Sequence, residues 1–160
     1  MLSITIICIG KLKEKYLSDA VGEYRKRLTT LCRLNIIELP AAFLPDSPKK
    51  GEIEAALKAE GEKILEKIPP SSYVISLCIE GKTLSSEALS EKISSLKTQG
   101  NSSLVFLIGG SYGLSRQVKE ISRFRLSMSP MTFPHQLARV MLLEQIYRAL
   151  QIEAGAKYHK

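Results

Sequence analysis

Four side chains in the last third of this sequence can move a proton or hold an anion: His135, Arg139, Tyr158 and His159. An imidazole titrates near neutral pH, a phenol donates a hydrogen bond, and a guanidinium stays cationic throughout. Each residue also has an ordinary reading. His135 stands just inside the start of a helical pattern, where it could pack near free amides. Arg139 and Arg148 lie on an otherwise apolar helix, so each needs a carboxylate, a phosphate or solvent, and Glu144 is at hand. Tyr158 and His159 sit at a chain end, ordinarily the frayed part of a protein.

Two turns supply the setting for this chemistry. Gly109-Gly110-Ser111-Tyr112-Gly113 and Ser129-Pro130-Met131-Thr132-Phe133-Pro134-His135 each follow a short apolar run and precede a helical pattern. In open α/β sheets, ligands settle at the carboxyl ends of strands, where loops converge and helix N-termini offer free N–H groups. The glycine turn is no phosphate loop, because Lys-Ser/Thr is missing after Gly113. Its spacing also fails the dinucleotide fingerprint, which belongs after the first strand rather than the fourth. A structural strand-to-helix corner accounts for it as well as a ligand loop does. No metal is expected: the histidines are His135 and His159, and Cys8, Cys32 and Cys78 form no CxxC pair. The three cysteines read as reduced core thiols of a cytosolic protein.

The elements that must position these residues alternate. Ile4–Ile9 is an apolar, β-branched run ended by Gly10, suited to a strand covered on both faces. Leu17, Ala20, Val21, Tyr24, Leu28 and Leu31 recur at helical steps. Leu34–Leu39 is a second strand closed by Pro40, and the proline-bearing stretch to Lys50 is a loop, either contacting substrate or plain surface. Helical patterns over 52–68 and from about Ser86 flank a third strand, Tyr73–Ile79, followed by Glu80-Gly81-Lys82 as a tight turn. Gly61 weakens the first of these helices without ending it. Leu104–Ile108 is the fourth and most apolar strand. A short helix from Ser115 to about Phe124, a strand at Arg125–Met128 and a helix over Pro134–Ile152 complete the chain. With no internal repeat or linker, this alternation predicts one domain over 1–160, an α/β fold with a mostly parallel sheet and helices on both faces. The last helix is apolar around nearly its whole circumference, so it needs cover on a second side, from within the monomer or from a second subunit.

A formal charge of +7 and a pI near 9.4 favour an acidic partner, nucleic acid being the commonest for a compact basic domain. Lys11 to Arg33 holds seven basic residues against three acidic ones, as a solvated face or a phosphate-facing patch. The N-terminal apolar run is too short to span a bilayer and lacks a basic region before it, so a soluble, cytoplasmic protein is expected.

Taken together, IGGSYGLS (108–115), LSMSPMTFPHQLARVMLLEQIYRA (126–149) and the terminal YHK (158–160) resemble the large-subunit ribosomal RNA methyltransferase H family, of the SPOUT class of S-adenosylmethionine-dependent enzymes. The similarity runs through the whole chain, including Pro40-Ala41-Ala42-Phe43, EGKTLSSE (80–87) and the basic first helix. It implies an α/β fold with a deep C-terminal trefoil knot, which the sequence pattern could not have suggested, since chains avoid knots. It also implies a homodimer whose S-adenosylmethionine lies in the knot against Leu77, Gly109, Gly110, Met128, Ser129, Pro130, Met131, Thr132 and Phe133. The implied reaction is methyl transfer to N3 of a pseudouridine in 23S ribosomal RNA of the assembled ribosome, without a metal or a membrane. Tyr158 and His159 are then the candidates for handling the proton or positioning the base, with His135 and Arg139 as supports near the cofactor. Two other classes are a non-catalytic RNA-binding protein of the same fold and a nucleotide-dependent oxidoreductase using the glycine turn.

Overall fold

A computed structural model describes residues 1–159. Its elements are β1 (Ser3–Ile9), α1 (Lys15–Leu28), β2 (Arg33–Leu39), α2 (Lys50–Lys67), β3 (Tyr73–Thr83), α3 (Ser86–Thr98), β4 (Ser103–Ile108), α4 (Arg116–Ile121), β5 (Phe124–Ser127) and α5 (His135–Glu153). The strands form one five-stranded sheet in the order β2-β1-β4-β3-β5, and every neighbouring pair is parallel. All strand ends of one kind therefore lie on one edge, and the carboxyl edge collects the loops of interest.

The interior strands are apolar on both faces because helices cover both faces. Ile4, Ile6 and Cys8 of β1 pack with Val21 and Leu28 of α1, Ile93 of α3 and Leu143 and Ile146 of α5. Ile7 and Ile9, at the alternate positions, pack with Ile64 of α2 and Val118 of α4. Phe106 of β4 is fully buried, and truncating it to alanine should cost about 3–5 kcal/mol.

The structure corrects one expectation and adds to two others. Glu80-Gly81-Lys82 is not a turn that ends a strand. β3 runs on to Thr83, and its register against β5 shifts between Leu77 and Lys82, both of which pair with Leu126. The residues between them bulge out, and a Cβ on Gly81 would lie 2.7 Å from the Arg125 carbonyl oxygen, so only glycine fits. α2 runs through Gly61 without ending there, and the structure adds a packing reason for the glycine: a Cβ would sit 2.5 Å from Ser115 Oγ. Finally, α5 finds much of its cover within the chain. α1 and α3 pack against it, so Leu142, Leu143, Ile146, Ala149 and Leu150 are buried. Leu137 remains exposed, and Val140 and Met141 are half-buried.

Candidate functional site

The glycine turn after β4 is closed by the Gly113 N–H donating to the Gly110 carbonyl at 3.0 Å, with Gly113 at φ +81°. A Cβ on Gly109 would collide with the Gly113 backbone, and one on Gly110 would press on Ile9 Cγ2 at 3.3 Å. The turn thus demands Gly109 for its own closure, and Gly110 for its close seat against β1. Two further segments converge on it. One is the Cys78–Gly81 bulge of β3. The other is the loop after β5, folded on itself by the Ser127 hydroxyl donating to the Ser129 carbonyl at 3.1 Å and the Met131 N–H donating to Ser129 Oγ at 3.0 Å.

Together they enclose a cleft of about 710 Å³ at the carboxyl edge of the sheet, within the range of small-molecule sites. Of the expected cofactor positions, Leu77, Gly109, Gly110, Met128, Ser129, Met131, Thr132 and Phe133 line it, and Pro130 does not. Cys78, Ile79 and Glu80 add a wall that sequence reasoning missed, although a glycine inside a strand pattern is the signature of such a bulge. Glu80 is ion-paired to Lys119 at 2.5 Å, and that hydrogen bond lowers its pKa, keeping it ionised. Another cleft of about 660 Å³, by Leu2, Leu31 and Asn101, opens at the amino edge, away from every loop discussed here.

His135, at the start of α5, lines the carboxyl-edge cleft. Burial and then the charges of Arg139 and Lys13 lower its pKa, so the ring is neutral at pH 7. Arg139, one turn further, is only 2% exposed and is not on the cleft wall. Its Nη1 donates to Glu38 Oε2 at 2.6 Å and its Nη2 to the Gly10 carbonyl at 2.9 Å. Its partner is therefore Glu38 of β2, while Glu144 serves Arg148. The Lys13 N–H also donates to Gln136 Oε1, so the first turn of α5 is bolted to the β1–α1 connection.

The chain end is folded back rather than frayed. Gly155, at φ +71°, reverses the chain after α5, and the Ala156 N–H donates to the Gln151 carbonyl at 2.9 Å. Tyr158 then packs edge-on against Tyr147 with ring centroids 4.8 Å apart, and its hydroxyl donates to Glu144 at 3.2 Å. Arg148 can only donate, so His159 Nδ1 accepts from it at 3.0 Å, and the ring proton resides on Nε2, donating to Glu87 at 2.6 Å. Neither Tyr158 nor His159 lines the cleft of its own chain. They lie beside a groove that includes Glu144 and shares Ser127 and Met128 with it. Lys160 lies outside the described residues.

The family model described as "Predicted SPOUT methyltransferase" matches residues 2–159. The chain belongs to the SPOUT methyltransferase family. It is 53% identical over 159 residues to the ribosomal RNA large subunit methyltransferase H of Clostridium acetobutylicum, covering 99% of this chain and 100% of that protein. Identity is 52% to the protein of that name from Clostridioides difficile, at the same coverage. A solved structure titled as a probable methylase family protein from Haemophilus influenzae Rd KW20 superimposes with a TM-score of 0.54 at 15% identity. That likeness covers 98% of this chain and 70% of the other, and bears on the fold alone.

SPOUT methyltransferases depend on S-adenosylmethionine, and the cleft suits such a molecule. Leu77, Ile108, Leu114 and Phe133 offer apolar surface for a purine, while Ser129, Thr132 and the loop backbone offer polar partners. The ionised Glu80 on the wall complements a cation. Among the described residues no group of three His, Cys, Asp or Glu side chains could hold a metal ion, and no helix is long and apolar enough to cross a membrane.

Proposed function

We propose that this SPOUT methyltransferase transfers a methyl group from S-adenosylmethionine to N3 of a pseudouridine in 23S ribosomal RNA, acting on the assembled ribosome as a cytoplasmic homodimer with a C-terminal trefoil knot. The observation that carries this reading is the convergence of Leu77, the glycine turn, the 128–133 loop and His135 on one cleft, together with the activity named for relatives about half identical over their full length.

The sulfonium of the cofactor supplies an activated methyl group, so the protein's task is to align donor and acceptor and let the imide proton leave. The bulge of β3 and the loops after β4 and β5 hold the cofactor, largely through backbone groups. Arg139 clamps the β1–α1 turn and the start of α5 through Gly10 and Glu38, fixing His135 beside the cleft. A neutral His135 can accept a hydrogen bond or a proton there. Tyr158 donates to Glu144, and burial first and then Tyr24 raise its pKa, so it acts as a donor rather than a base. Both ring nitrogens of His159 are engaged, which favours positioning over proton transfer. Because the tail does not line its own cleft, it serves either by leaving Glu87 or by reaching the cleft of a second copy.

Mapping 23S RNA modifications by mass spectrometry, with the gene present and deleted, tests the reading. One methylated pseudouridine should disappear on deletion and return with the purified protein and S-adenosylmethionine. Cofactor binding without methyl incorporation would leave a non-catalytic RNA-binding protein of the same fold.

A further inference from the structure

The carboxyl edge continues beyond the cleft, over the ends of β1 and β2, where nothing in the mechanism above uses the surface. β1 and β2 end in register at Ile9 and Leu39, and the Gly10 N–H donates to the Leu39 carbonyl at 2.7 Å. β1 lies between β2 and β4, so strand spacing puts the end of β2 about 10 Å from the glycine turn. The two connections that leave this edge end in aromatic rings held in solvent: Phe43, in the β2–α2 loop, is 90% exposed, and Tyr16, in the first turn of α1, is 69% exposed.

Phe43 is not exposed because its loop lacks anchorage. The neighbouring Ala42 N–H donates at 2.9 Å to the carboxylate of Glu60, which α2 keeps only 8% exposed. Placing a carboxylate there costs desolvation, yet the contact holds out a large apolar ring that the core never covers. The same two chain segments carry the exposed Lys11, Lys13, Lys49 and Lys50, against exposed Glu14 and Asp46, while Lys15 is paired with Asp19. His135 Nε2 lies 3.9 Å from where a Cβ on Gly10 would be, so this basic, aromatic rim joins the cleft directly.

Fixed aromatic faces interleaved with lysines are the means by which proteins hold unpaired RNA, through base stacking and phosphate contacts. We propose that the β1–α1 and β2–α2 loops, with the first turn of α1, form the docking rim for the single-stranded RNA flanking the target nucleotide. Tyr16 and Phe43 stack on its bases, and Lys11 and Lys13 take its phosphates. The inference rests on the ribosomal RNA reading of the cleft and assigns a place to the substrate beyond the reacting base.

Fluorescence anisotropy with a fluorescein-labelled oligouridylate and methylation kinetics on ribosomes test it. Phe43→Ala and Tyr16→Ala should each weaken oligouridylate binding about thirtyfold, the middle of the range for losing one base stack, and raise KM for ribosomes in step. Melting temperature and S-adenosylmethionine affinity should stay at wild-type values, and Phe43→Trp should restore binding. The Lys11→Ala/Lys13→Ala double variant should flatten the dependence of log Kd on log salt by about 1.4, or roughly 0.7 per single-strand phosphate contact, whereas Phe43→Ala should leave that slope unchanged. Wild-type affinity and KM in Phe43→Ala, in a protein that methylates ribosomes, would overturn the rim and leave the enzyme reading standing. A raised KM with unchanged oligouridylate binding would assign the rim to a ribosomal protein, and a change in sedimentation would assign it to a second copy. Either result overturns the proposal. A wild-type protein that binds S-adenosylmethionine and methylates no ribosomal RNA would remove the enzyme reading and the rim together.

Discussion

The cleft and the folded-back tail hold the two halves of the candidate chemistry, and they are built by opposite means. The cleft is made of backbone. Its walls are the bulge of β3 and the loops that leave β4 and β5, and their course is fixed by strand register and by glycines that admit no side chain. The tail is made of side chains, with Tyr158 on Tyr147 and Glu144, and His159 between Arg148 and Glu87. A backbone-built site tolerates changes in most of its side chains and fails abruptly where glycine is required. A site held by exposed and half-buried polar contacts is worth little to stability, yet can matter greatly to a transition state.

The largest effect expected from that contrast is at the tail. Deleting residues 158–160 should leave the melting temperature and S-adenosylmethionine affinity nearly unchanged, while methyl transfer to ribosomes falls by orders of magnitude. Full turnover by the truncated protein would reduce the tail to a structural clasp and leave the chemistry to His135. Mixing this truncation with a full-length chain inactivated in its cleft sharpens the point, since recovered activity means that one copy's tail serves the other's cleft.

Next in size is the cleft. Gly109→Val should abolish cofactor binding by calorimetry and also lower stability by roughly 1–3 kcal/mol, because the side chain meets the Gly113 backbone. Gly110→Val should act through pressure on Ile9 rather than by blocking a ligand, so a melting-temperature loss without a matching affinity loss is the expected signature. Unchanged stability in both would contradict a turn that closes on itself.

The smallest effect concerns His135. Its folded pKa is lowered by burial, then by Arg139 and Lys13, so the unfolded chain binds the proton more readily. Stability should therefore rise with pH, being lost as pH falls through the unfolded histidine value of about 6.5 and fully present above it. Denaturant melts from about pH 5 to 8 should show this dependence diminished in His135→Gln. An identical pH profile for the two proteins would place the ring in solvent.

What could be read in advance followed the same division. Parallel strands between helices were legible because Ile4–Ile9, Thr5 apart, and Leu104–Ile108 are apolar at neighbouring positions, as a strand covered on both faces requires. The cleft was legible because glycine and proline punctuate its loops. Period and punctuation carry no information about partners far apart in sequence, so Glu38, which meets Arg139 from 101 positions away, was passed over for the local Glu144. Likewise the tail resembled a frayed end because its anchor, Glu87, lies 72 positions upstream in α3. The bulge of β3 was misread as a turn because Gly81 was weighed as local punctuation, when its tight contact is with Arg125.

The strand order also sets a timetable for synthesis. β1 can pair with β2 soon after both leave the ribosome, but its other edge belongs to β4, which begins roughly ninety residues later. At about 5–20 residues per second, that edge stays without its partner for about 5–20 s. It is one of the most apolar strands in the protein, and an unpaired apolar edge is a template for other chains. The arrangement that brings the loops after β4 and β5 to one cleft also leaves the nascent chain unable to join the two halves of its sheet until β4 ends at residue 108 of 160, and unable to complete it until β5 ends at residue 127.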